Sequence, residues 1–451
     1  MDRILRDAAT RGARYLEELE TRSVVPSQEA LERLSELGGP MPGKPTDPAD
    51  VLALLDEVGS PATLASAGGR FFGFVIGGSL PAALAANWLG SAWDQNAALV
   101  AASPVSAALE ETALRWLLDV LDLPSSCGGA FVTGGTMANF TALAAARHAV
   151  LEQAGWDVES DGLFGAPPVT VILGEEAHPT LRKALGMLGF GRTRVTVIPV
   201  DGQGRMRADA LPTLSGPTII CMQSGNINTG AMDPAVEICA AAREAGAWVH
   251  VDGAFGMWAA AAPERAHLVA GVADADSWAT DAHKWLNVPY DSGLAFVRDP
   301  EHLRGAMALS AAYLPFGGQR EPSEYTPELS RRARGIEVWA ALRSLGRTGL
   351  ADLIERTCRF ATRFAEGLGS AGYAVLNDVV LNQVLVSFGD EETTDRVIAG
   401  VQMDGTCWCG GTTWQSQRAM RISVSSWATT DEDVERSLDA MLRVAAAETA
   451  G

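Results

Sequence analysis

The amino-acid sequence predicts an α/β fold, with a mostly parallel central sheet and a smaller C-terminal α+β domain. Between residues 130 and 300, short apolar runs rich in β-branched residues alternate with helical stretches. Such runs are typical of strands buried on both faces, and strands that alternate with helices form parallel sheets. Further along the chain, two strand-like segments at 381–389 and 419–427 precede a final helix from residue 430. This second pattern predicts a separate, smaller domain.

The elements follow one another in a simple order. We predict a helical segment over 1–65, a large domain over 66–305, a mobile loop with a connecting helix over 306–345, and a small domain over 346–451. The predicted strands of the large domain are 169–173, 195–200, 217–223, 247–255 and 276–282, with helices at His178–Leu188 and Pro234–Ala245 between them. The loop at 305–330 is rich in proline, and loops of this length are usually functional.

Charge and composition exclude several classes of protein. The 451 residues include 55 acidic and 35 basic side chains, giving a net charge of −20. The electrostatic field of such a negatively charged protein repels phosphate backbones and anionic lipid, so we expect neither nucleic acid nor a membrane as a partner. The chain has no apolar h-region at its start and no uninterrupted apolar stretch of membrane-spanning length. The six cysteines are scattered and form no disulfide framework, which favours a cytoplasmic location.

Lysine is scarce in this sequence. Of the 35 cationic side chains only three are lysines, Lys44, Lys183 and Lys284, and the rest are arginines. A chain that uses arginine for charge contains few amines, so each lysine is a candidate for amine chemistry. Lys44 lies in a proline-rich link and Lys183 on a predicted helix surface, which leaves Lys284.

Lys284 and Asp252 both follow the ends of predicted parallel strands. Ligands of open α/β sheets bind beyond the carboxyl ends of the strands. Each residue alone would be read as a surface lysine or a helix cap. Together they match the arrangement expected for pyridoxal phosphate, in which a lysine forms a Schiff base and an aspartate pairs with the pyridinium nitrogen.

Three further segments could complete such a site. A predicted apolar strand ends at Gly134 and Gly135, and a predicted helix begins at Thr136. This arrangement is expected for a phosphate held at a helix N-terminus. His178 opens another helix and could stack on a flat ring, although a histidine there is more often a cap. In 419–427, alternation of apolar and polar positions leaves Arg421 facing away from the core, where it could grip a carboxylate or form a surface salt bridge.

These residues lie in blocks that resemble the group II pyridoxal-phosphate-dependent decarboxylases, the relatives of aromatic-amino-acid and glutamate decarboxylases. The blocks are GRFFGF (69–74), ASPVSAALEETALRWLLDVLDLP (102–124), VTGGTMANFTAL (132–143), EEAHPTLRKAL (175–185), HVDGAFG (250–256), TDAHKWLNVPYDSG (280–293), ELSRRARGIEVWAALRSLG (328–346) and AMRISVSSWATTDEDV (419–434). The resemblance implies the fold-type I, aspartate aminotransferase-like architecture, with 66–305 as the domain that binds pyridoxal phosphate. It also implies a homodimer with active sites at the subunit interface.

The resemblance implies a role for each matching residue. Lys284 is similar to the Schiff-base lysine, Asp252 to the pyridinium partner and His178 to the ring-stacking histidine. The remaining matches are Gly135, Thr136 and His283 at the phosphate pocket, Ala254 under the ring, and Arg421 as the group that binds the substrate α-carboxylate.

The sequence departs from the family pattern at several places. Relatives protonate the substrate carbon with a tyrosine on a mobile loop, and the corresponding loop here is shorter and contains Tyr313 and Tyr325. Tyr325 is the better candidate because it lies nearer to a matched block. Asp281 stands where relatives often have asparagine. Ala107 and Ala108 replace polar and acidic residues of the aromatic-amino-acid enzymes, so substrate specificity does not transfer.

The leading hypothesis is decarboxylation of an L-amino acid to its amine and carbon dioxide through a Lys284 Schiff base. The alternative keeps the cofactor and changes the outcome, giving an aldehyde synthase or oxidative deaminase, a carbon–carbon lyase or an aminotransferase-like enzyme, because one fold supports all of them. A non-catalytic binding protein is disfavoured because Lys284, Asp252 and His178 are all present. No metal site is predicted, since the six histidines include no ligand-spaced pair.

Overall fold

The computed structural model describes residues 2–309 and 320–449. Its strands are β1 (Gly128–Val132), β2 (Thr170–Gly174), β3 (Thr196–Ile198), β4 (Thr218–Gln223), β5 (Trp248–Asp252), β6 (Ser277–Asp281), β7 (Gly293–Val297), β8 (Ala374–Val375), β9 (Gln383–Ser387), β10 (Gly410–Trp414) and β11 (Gln417–Ser423). Its helices are α1 (Asp2–Glu18), α2 (Gln28–Arg33), α3 (Pro48–Leu54), α4 (Pro81–Trp93), α5 (Pro104–Val120), α6 (Gly135–Gln153), α7 (Val158–Asp161), α8 (Pro179–Met187), α9 (Ala235–Ala245), α10 (Pro300–Met307), α11 (Gly335–Ser370), α12 (Glu391–Asp404) and α13 (Asp431–Thr449). Short 3₁₀ turns connect several of these elements.

The larger sheet confirms the predicted α/β class. Its strand order is β1-β7-β6-β5-β4-β2-β3, and the run from β6 to β3 is parallel throughout. The exception is β7, which the sequence analysis did not predict and which runs antiparallel to both β1 and β6. The segment between β6 and β7 contains no helix, so the chain reverses instead of crossing over to a parallel position.

The strands of this sheet are buried because helices cover them. Every residue of β1, β4, β5, β6 and β7 is buried. The largest contribution to one core cluster comes from α6, whose alanines and leucines pack with β1, β2, α8 and α10. This packing fixes α6 against the sheet, and its first turn consequently lies at the carboxyl ends of the strands.

The described residues divide into two compact units in a way that differs from the predicted boundaries. One unit contains 79–359 and 377–383, and the other contains 1–78, 360–376 and 384–451. The predicted N-terminal segment therefore belongs to the same unit as the C-terminal strands. Backbone hydrogen bonds account for this, because Phe72 N donates to Trp408 O at 2.8 Å and Ser423 N donates to Phe72 O at 2.9 Å. Pairing between such distant segments leaves no pattern in either one.

The smaller unit contains a four-stranded sheet of order β10-β11-β9-β8. β10 pairs antiparallel with β11, and β8 pairs antiparallel with β9. The stretch α11 consists of two helices that meet at Gly346, whose φ of 59° and ψ of −177° are not helical. No helix among the described residues is both long and apolar enough to cross a bilayer.

Candidate active site

The N-terminus of α6 is arranged to receive an anion. β1 ends at Val132, and the chain turns through Gly134 in an extended conformation before the helix begins at Gly135. No side chain caps this N-terminus. A Cβ atom at Gly135 would lie 2.8 Å from Asp281 Oδ2, so glycine is required for this close approach. The N–H groups of the first turn and the positive end of the helix dipole favour a phosphate group here.

Asp252 ends β5 and is held by a chain of hydrogen bonds. Asn139 Nδ2 donates to Asp252 Oδ2 at 3.1 Å, which leaves Asn139 Oδ1 to accept from His250 Nε2 at 2.7 Å. His250 Nδ1 must then accept from Ser277 Oγ at 2.9 Å, and Ser277 in turn accepts from Trp248 Nε1 at 2.8 Å. Every donor in this chain points toward Asp252, so the carboxylate is fixed as an acceptor.

The burial of these hydrogen-bonded side chains determines which of them are charged. Burial lowers the pKa of His250 to about 3, so its imidazole is neutral at pH 7. Burial also raises the pKa of Asp252, while the nearby charges of His178 and Lys284 and the Asn139 hydrogen bond act in the opposite direction. A buried carboxylate of this kind needs a cationic partner, which a protonated ring nitrogen would provide.

Lys284 lies close to a second carboxylate. Its Nζ is 3.0 Å from Asp281 Oδ2, and Asp281 is the last residue of β6. His283 Nε2 is 3.5 Å from the other carboxylate oxygen, Asp281 Oδ1, and His283 Nδ1 accepts a hydrogen bond from Ser292 N at 3.2 Å. Burial lowers the pKa of His283. Tyr290 covers this imidazole, with the two ring centroids 4.3 Å apart.

His178 combines the two roles that the sequence left open. It is the N-cap of α8, where its Nδ1 accepts from Thr180 N at 3.4 Å and lies 2.6 Å from Thr180 Oγ1. Pro179 follows as the first residue of the helix, a position that suits proline. The cap fixes the orientation of the imidazole at the edge of the cavity described next.

These side chains surround one cavity of about 320 Å³. It is lined by Thr133, Gly134, Gly135, Thr136, Met137, Asn139, His178, Thr180, Asp252, Ala254, Asp281, His283 and Lys284. The structure thus brings together all seven residues that were predicted to bind the cofactor, at the carboxyl ends of β1, β2, β5 and β6. Their individual roles stay predictions.

The candidate tyrosines are placed differently. Tyr325 lies in a 3₁₀ turn and packs against the core cluster that contains α6 and α10. The guanidinium of Arg320 lies 4.5 Å from the centre of its ring. Tyr325 is not among the residues that line the cavity around Lys284, and burial raises its pKa. Tyr313, the other candidate, lies outside the described residues.

Arg421 lies in the smaller unit, on β11, opposite Gly410 of β10. The apolar residues that alternate with it, Met420, Ile422 and Val424, are fully buried as expected. Ser423 and Ser425 are fully buried as well, so the polar side of this strand is not an open surface. Burial lowers the pKa of Arg421, as expected for a guanidinium that is partly removed from water.

The residues around the cavity fit pyridoxal phosphate. The uncapped first turn of α6 suits the phosphate, and the glycines leave a cradle that a Cβ atom would fill. Asp252 suits the pyridine nitrogen, and Lys284 offers the only lysine amine on this cavity. Asp281 is the exception, because its carboxylate lies against Gly135 and repels a phosphate group bound there.

Sequence reasoning missed two members of this site, Asn139 and His250. A signal for each was present. Asn139 lies four residues after Gly135 on α6 and therefore on the same helix face. His250 precedes Asp252 by two residues on β5 and therefore points to the same side of the sheet.

Comparisons with known proteins agree with this geometry. The family model described as "Pyridoxal-dependent decarboxylase conserved domain" matches residues 61–388. An aromatic-L-amino-acid decarboxylase from Bacillus atrophaeus is 28% identical over 315 residues, covering 67% of this chain and 63% of that protein. A 4-hydroxyphenylacetaldehyde synthase from Rhodiola rosea is 30% identical over 282 residues, covering 58% of this chain and 56% of that protein. The matched regions thus span about three fifths of these relatives.

Among solved structures, the Oryza sativa enzyme described as "TDC with PLP and tryptamine" superimposes with a TM-score of 0.90. The two chains are 23% identical, and the superposition covers 98% of this chain and 97% of the other. At 23% identity, this structural similarity establishes the fold of the chain and nothing more specific. It confirms the fold-type I architecture that the sequence resemblance implied.

Proposed function

Since the chain belongs to the family of pyridoxal-dependent decarboxylases, we propose that it converts an L-amino acid to the corresponding amine and carbon dioxide. The cofactor of this family is pyridoxal phosphate. The observation that carries the proposal is the shared cavity of Lys284 and Asp252, in which Asp252 is fixed by Asn139. An amine, an oriented acid and an uncapped helix N-terminus are the groups that this chemistry requires.

Different residues of the cavity hold different parts of the cofactor. The first turn of α6, with Gly135 and Thr136, binds the phosphate. Asp252 binds the protonated ring nitrogen, while Asn139 Nδ2 holds one of its carboxylate oxygens and Ala254 N holds the other. When bound, the cofactor supplies a sink for the electrons released at the substrate α-carbon. Ala254, under the ring, leaves room for a flat group.

Lys284 would hold the cofactor through its amine and would be displaced from it by the amino group of the substrate. An amine attacks a carbonyl only after it has lost a proton. Asp281 Oδ2, 3.0 Å from Nζ, is within reach to accept this proton. His283, kept neutral by burial, adds no positive charge that would compete with Lys284 for Asp281.

Two residues are assigned to the substrate side. His178, oriented by Thr180, stacks on the ring and excludes water from the face where the α-carbon bonds break. Arg421 binds the α-carboxylate, for which a planar guanidinium offers two parallel donors. Tyr325 stays the proposed proton donor, although it packs under Arg320 and is not among the residues that line the cavity.

An oxidative outcome is the second candidate. Among the described residues that line the cavity, none is a tyrosine. If the carbanion left by loss of carbon dioxide is not protonated, molecular oxygen can oxidise it by two electrons and is itself reduced to hydrogen peroxide, after which hydrolysis by water releases the aldehyde and ammonia. The similarity to a protein described as a 4-hydroxyphenylacetaldehyde synthase is consistent with this alternative.

We also propose that the chain forms a homodimer. On α4 the large apolar side chains Trp88, Leu89 and Trp93 are 45%, 52% and 39% exposed in the single chain. Exposed apolar groups clustered on one helix are typical of a surface that another molecule covers. Light scattering on the purified protein tests this, and a monomer at micromolar concentration would contradict it.

The function is tested by screening the standard L-amino acids with added pyridoxal phosphate. Carbon dioxide and amine in equal amounts support decarboxylation. Ammonia together with an aldehyde or keto acid contradicts it and favours the oxidative or aminotransferase alternatives. Absence of any product with every amino acid would contradict an amino-acid substrate among the standard set.

A matched pair of lysine variants tests the covalent attachment. Lys284→Ala is expected to lose the visible absorbance of the bound cofactor and the activity. Lys183→Ala removes an exposed lysine of α8 and is expected to keep both. Retention of the native absorbance in Lys284→Ala would overturn the assignment.

A further inference from the structure

Three side chains with metal-binding atoms converge at the C-terminal end of α6. His148 and Glu152 are one turn apart on this helix, and His302 approaches them from α10. Glu152 Oε2 lies 3.7 Å from His148 Nε2 and 3.8 Å from His302 Nδ1. All three donor atoms lie within 4.8 Å of one another. The cluster shares no residue with the cavity around Lys284.

These distances are close to those of a tetrahedral zinc site. Ligand atoms at about 2.0–2.2 Å from a tetrahedral ion are about 3.4 Å from each other. The two separations that involve Glu152 exceed this by a few tenths of an ångström, and the two histidine nitrogens lie at most 4.8 Å apart. Glu152 is 63% exposed, so rotation of its side chain can shorten its own two distances, while the histidines must approach each other by a small side-chain adjustment.

His148 is already oriented as a metal ligand requires. Its Nδ1 lies 2.6 Å from Glu159 Oε2, at the start of α7. A carboxylate that holds one ring nitrogen leaves the other nitrogen as the coordinating atom, an arrangement that recurs behind metal-bound histidines. The close approach of α10 also depends on Gly305, where a Cβ atom would lie 2.5 Å from His148 Nε2.

The site is accessible to an ion from solution. His148 and His302 are 18% and 31% exposed. An adjoining open cavity of about 680 Å³ is lined by Glu152, Trp248 and His302 among other residues. Three protein ligands leave one position of a tetrahedral ion for water, and the cavity provides room for it.

We propose that His148, Glu152 and His302 bind one divalent transition-metal ion of the zinc type. Two imidazole nitrogens with one carboxylate favour zinc and similar ions over magnesium or calcium, which prefer oxygen ligands. A bound ion joins α6 to α10, with Glu159 of α7 behind His148. It therefore stabilises the folded chain and takes no part in the chemistry at Lys284.

The test is a zinc titration of the holoenzyme after treatment with a chelator and removal of excess cofactor. Calorimetry is expected to show one zinc ion per chain with micromolar or tighter affinity, and the melting temperature is expected to rise with zinc. His302→Ala and Glu152→Gln should each weaken binding at least about 100-fold, and Glu159→Gln about 10- to 100-fold. Cobalt in the site should give the intense visible absorption of a four-coordinate ion.

His267→Ala is the matched control, because His267 is an exposed histidine of the same unit outside the cluster. It should bind zinc as the unaltered protein does. The proposal is overturned if the unaltered protein binds no zinc, if His302→Ala binds it equally well, or if magnesium binds as tightly as zinc. In the first two cases the cluster is an ion-pair network only, and in the third it is an unselective cation site. The readout is metal binding, so the result is independent of whether decarboxylation is the correct function.

Discussion

The two ends of α6 differ in almost every property that matters for ligand binding. The N-terminal end is half-buried, begins at Gly135 directly after Gly134 and carries no charged side chain of its own. The C-terminal end carries His148 and Glu152, both in contact with solvent. The helix dipole favours an anion at the first end and a cation at the second. One helix of 19 residues, about 28 Å long, thus separates the proposed phosphate site from the proposed metal site.

The comparison shows two ways of building a site. At the N-terminal end, contiguous residues of one motif supply the glycines, the helix start and Asn139. At the C-terminal end, the ligands come from helices that are distant in sequence, and only packing brings them together. The following experiments perturb the first end and ask whether its features respond as a buried, hydrogen-bonded site should.

Acidification should give the largest effect, because His250 is buried and neutral. Its pKa in the folded protein is about 3, against about 6.5 in an unfolded chain. As the pH falls below 6.5 the unfolded chain takes up a proton that the folded chain does not. The stabilising contribution is therefore complete above pH 6.5 and is lost progressively toward pH 3, by up to about 4–5 kcal/mol.

Urea unfolding at a series of pH values measures this loss, with His250→Gln for comparison. The variant lacks the titrating group, so the difference in unfolding free energy between the two proteins should narrow in acid. Parallel pH profiles would contradict a neutral, buried His250.

Asp252→Asn should affect catalysis most strongly. An amide cannot supply the negative charge that keeps a ring nitrogen protonated, so kcat should fall about 10²- to 10³-fold. Steady-state kinetics with the identified amino acid measures this change. Asp209→Asn, at an exposed aspartate paired with Arg207, is the control and should be unchanged. A loss of less than tenfold in Asp252→Asn would refute the assigned role, while zinc affinity at the other end of α6 should not move.

Asn139→Leu should destabilise the fold as well as the site. The substitution leaves Asp252 Oδ2 and His250 Nε2 without their partner, at a cost of about 2–4 kcal/mol. Thr141→Val is the matched control on the same helix, because the buried Thr141 hydroxyl has no hydrogen-bond partner among the described residues. Denaturant unfolding should find the valine variant as stable as the parent or more so. Equal stability of the two variants would show that the hydrogen bonds between Asp252, Asn139 and His250 contribute little to the free energy of unfolding.

Asp281→Asn should have the smallest effect, and in the opposite direction. Its carboxylate lies against Gly135, where the phosphate is proposed to bind, so removing the charge should tighten cofactor binding about tenfold. Titration of the apoprotein with pyridoxal phosphate, followed by absorbance, measures the affinity. Weaker binding of pyridoxal phosphate by the variant would instead show that Asp281 promotes cofactor binding through its ion pair with Lys284.

The sequence predicted the parts of the molecule that depend on local pattern. The runs that form β2, β4 and β5 are predictable because each is short, mostly apolar and rich in β-branched residues, and His178 is predictable because it opens a helix. The cofactor residues could be grouped because strand ends in a parallel sheet meet at one edge.

Other parts depend on long-range packing, and there the sequence was insufficient. β7 is antiparallel because no helix precedes it, a feature that the pattern of apolar residues does not show. The joining of Phe72 to Trp408 and Ser423, and of His148 to His302, requires the folded chain. The spacing of the histidines predicts no metal site because His148 and His302 lie far apart in the sequence.

The series of hydrogen bonds that leads to Asp252, all donated in one direction, constrains how this sequence can evolve. Each member donates toward the next, from Trp248 through Ser277 and His250 to Asn139. A substitution that removes one link leaves its neighbour with an unsatisfied atom in the interior. Positions 139, 250 and 277 are therefore expected to evolve as a unit, and a homologue with an apolar residue at one of them should carry compensating changes at the others.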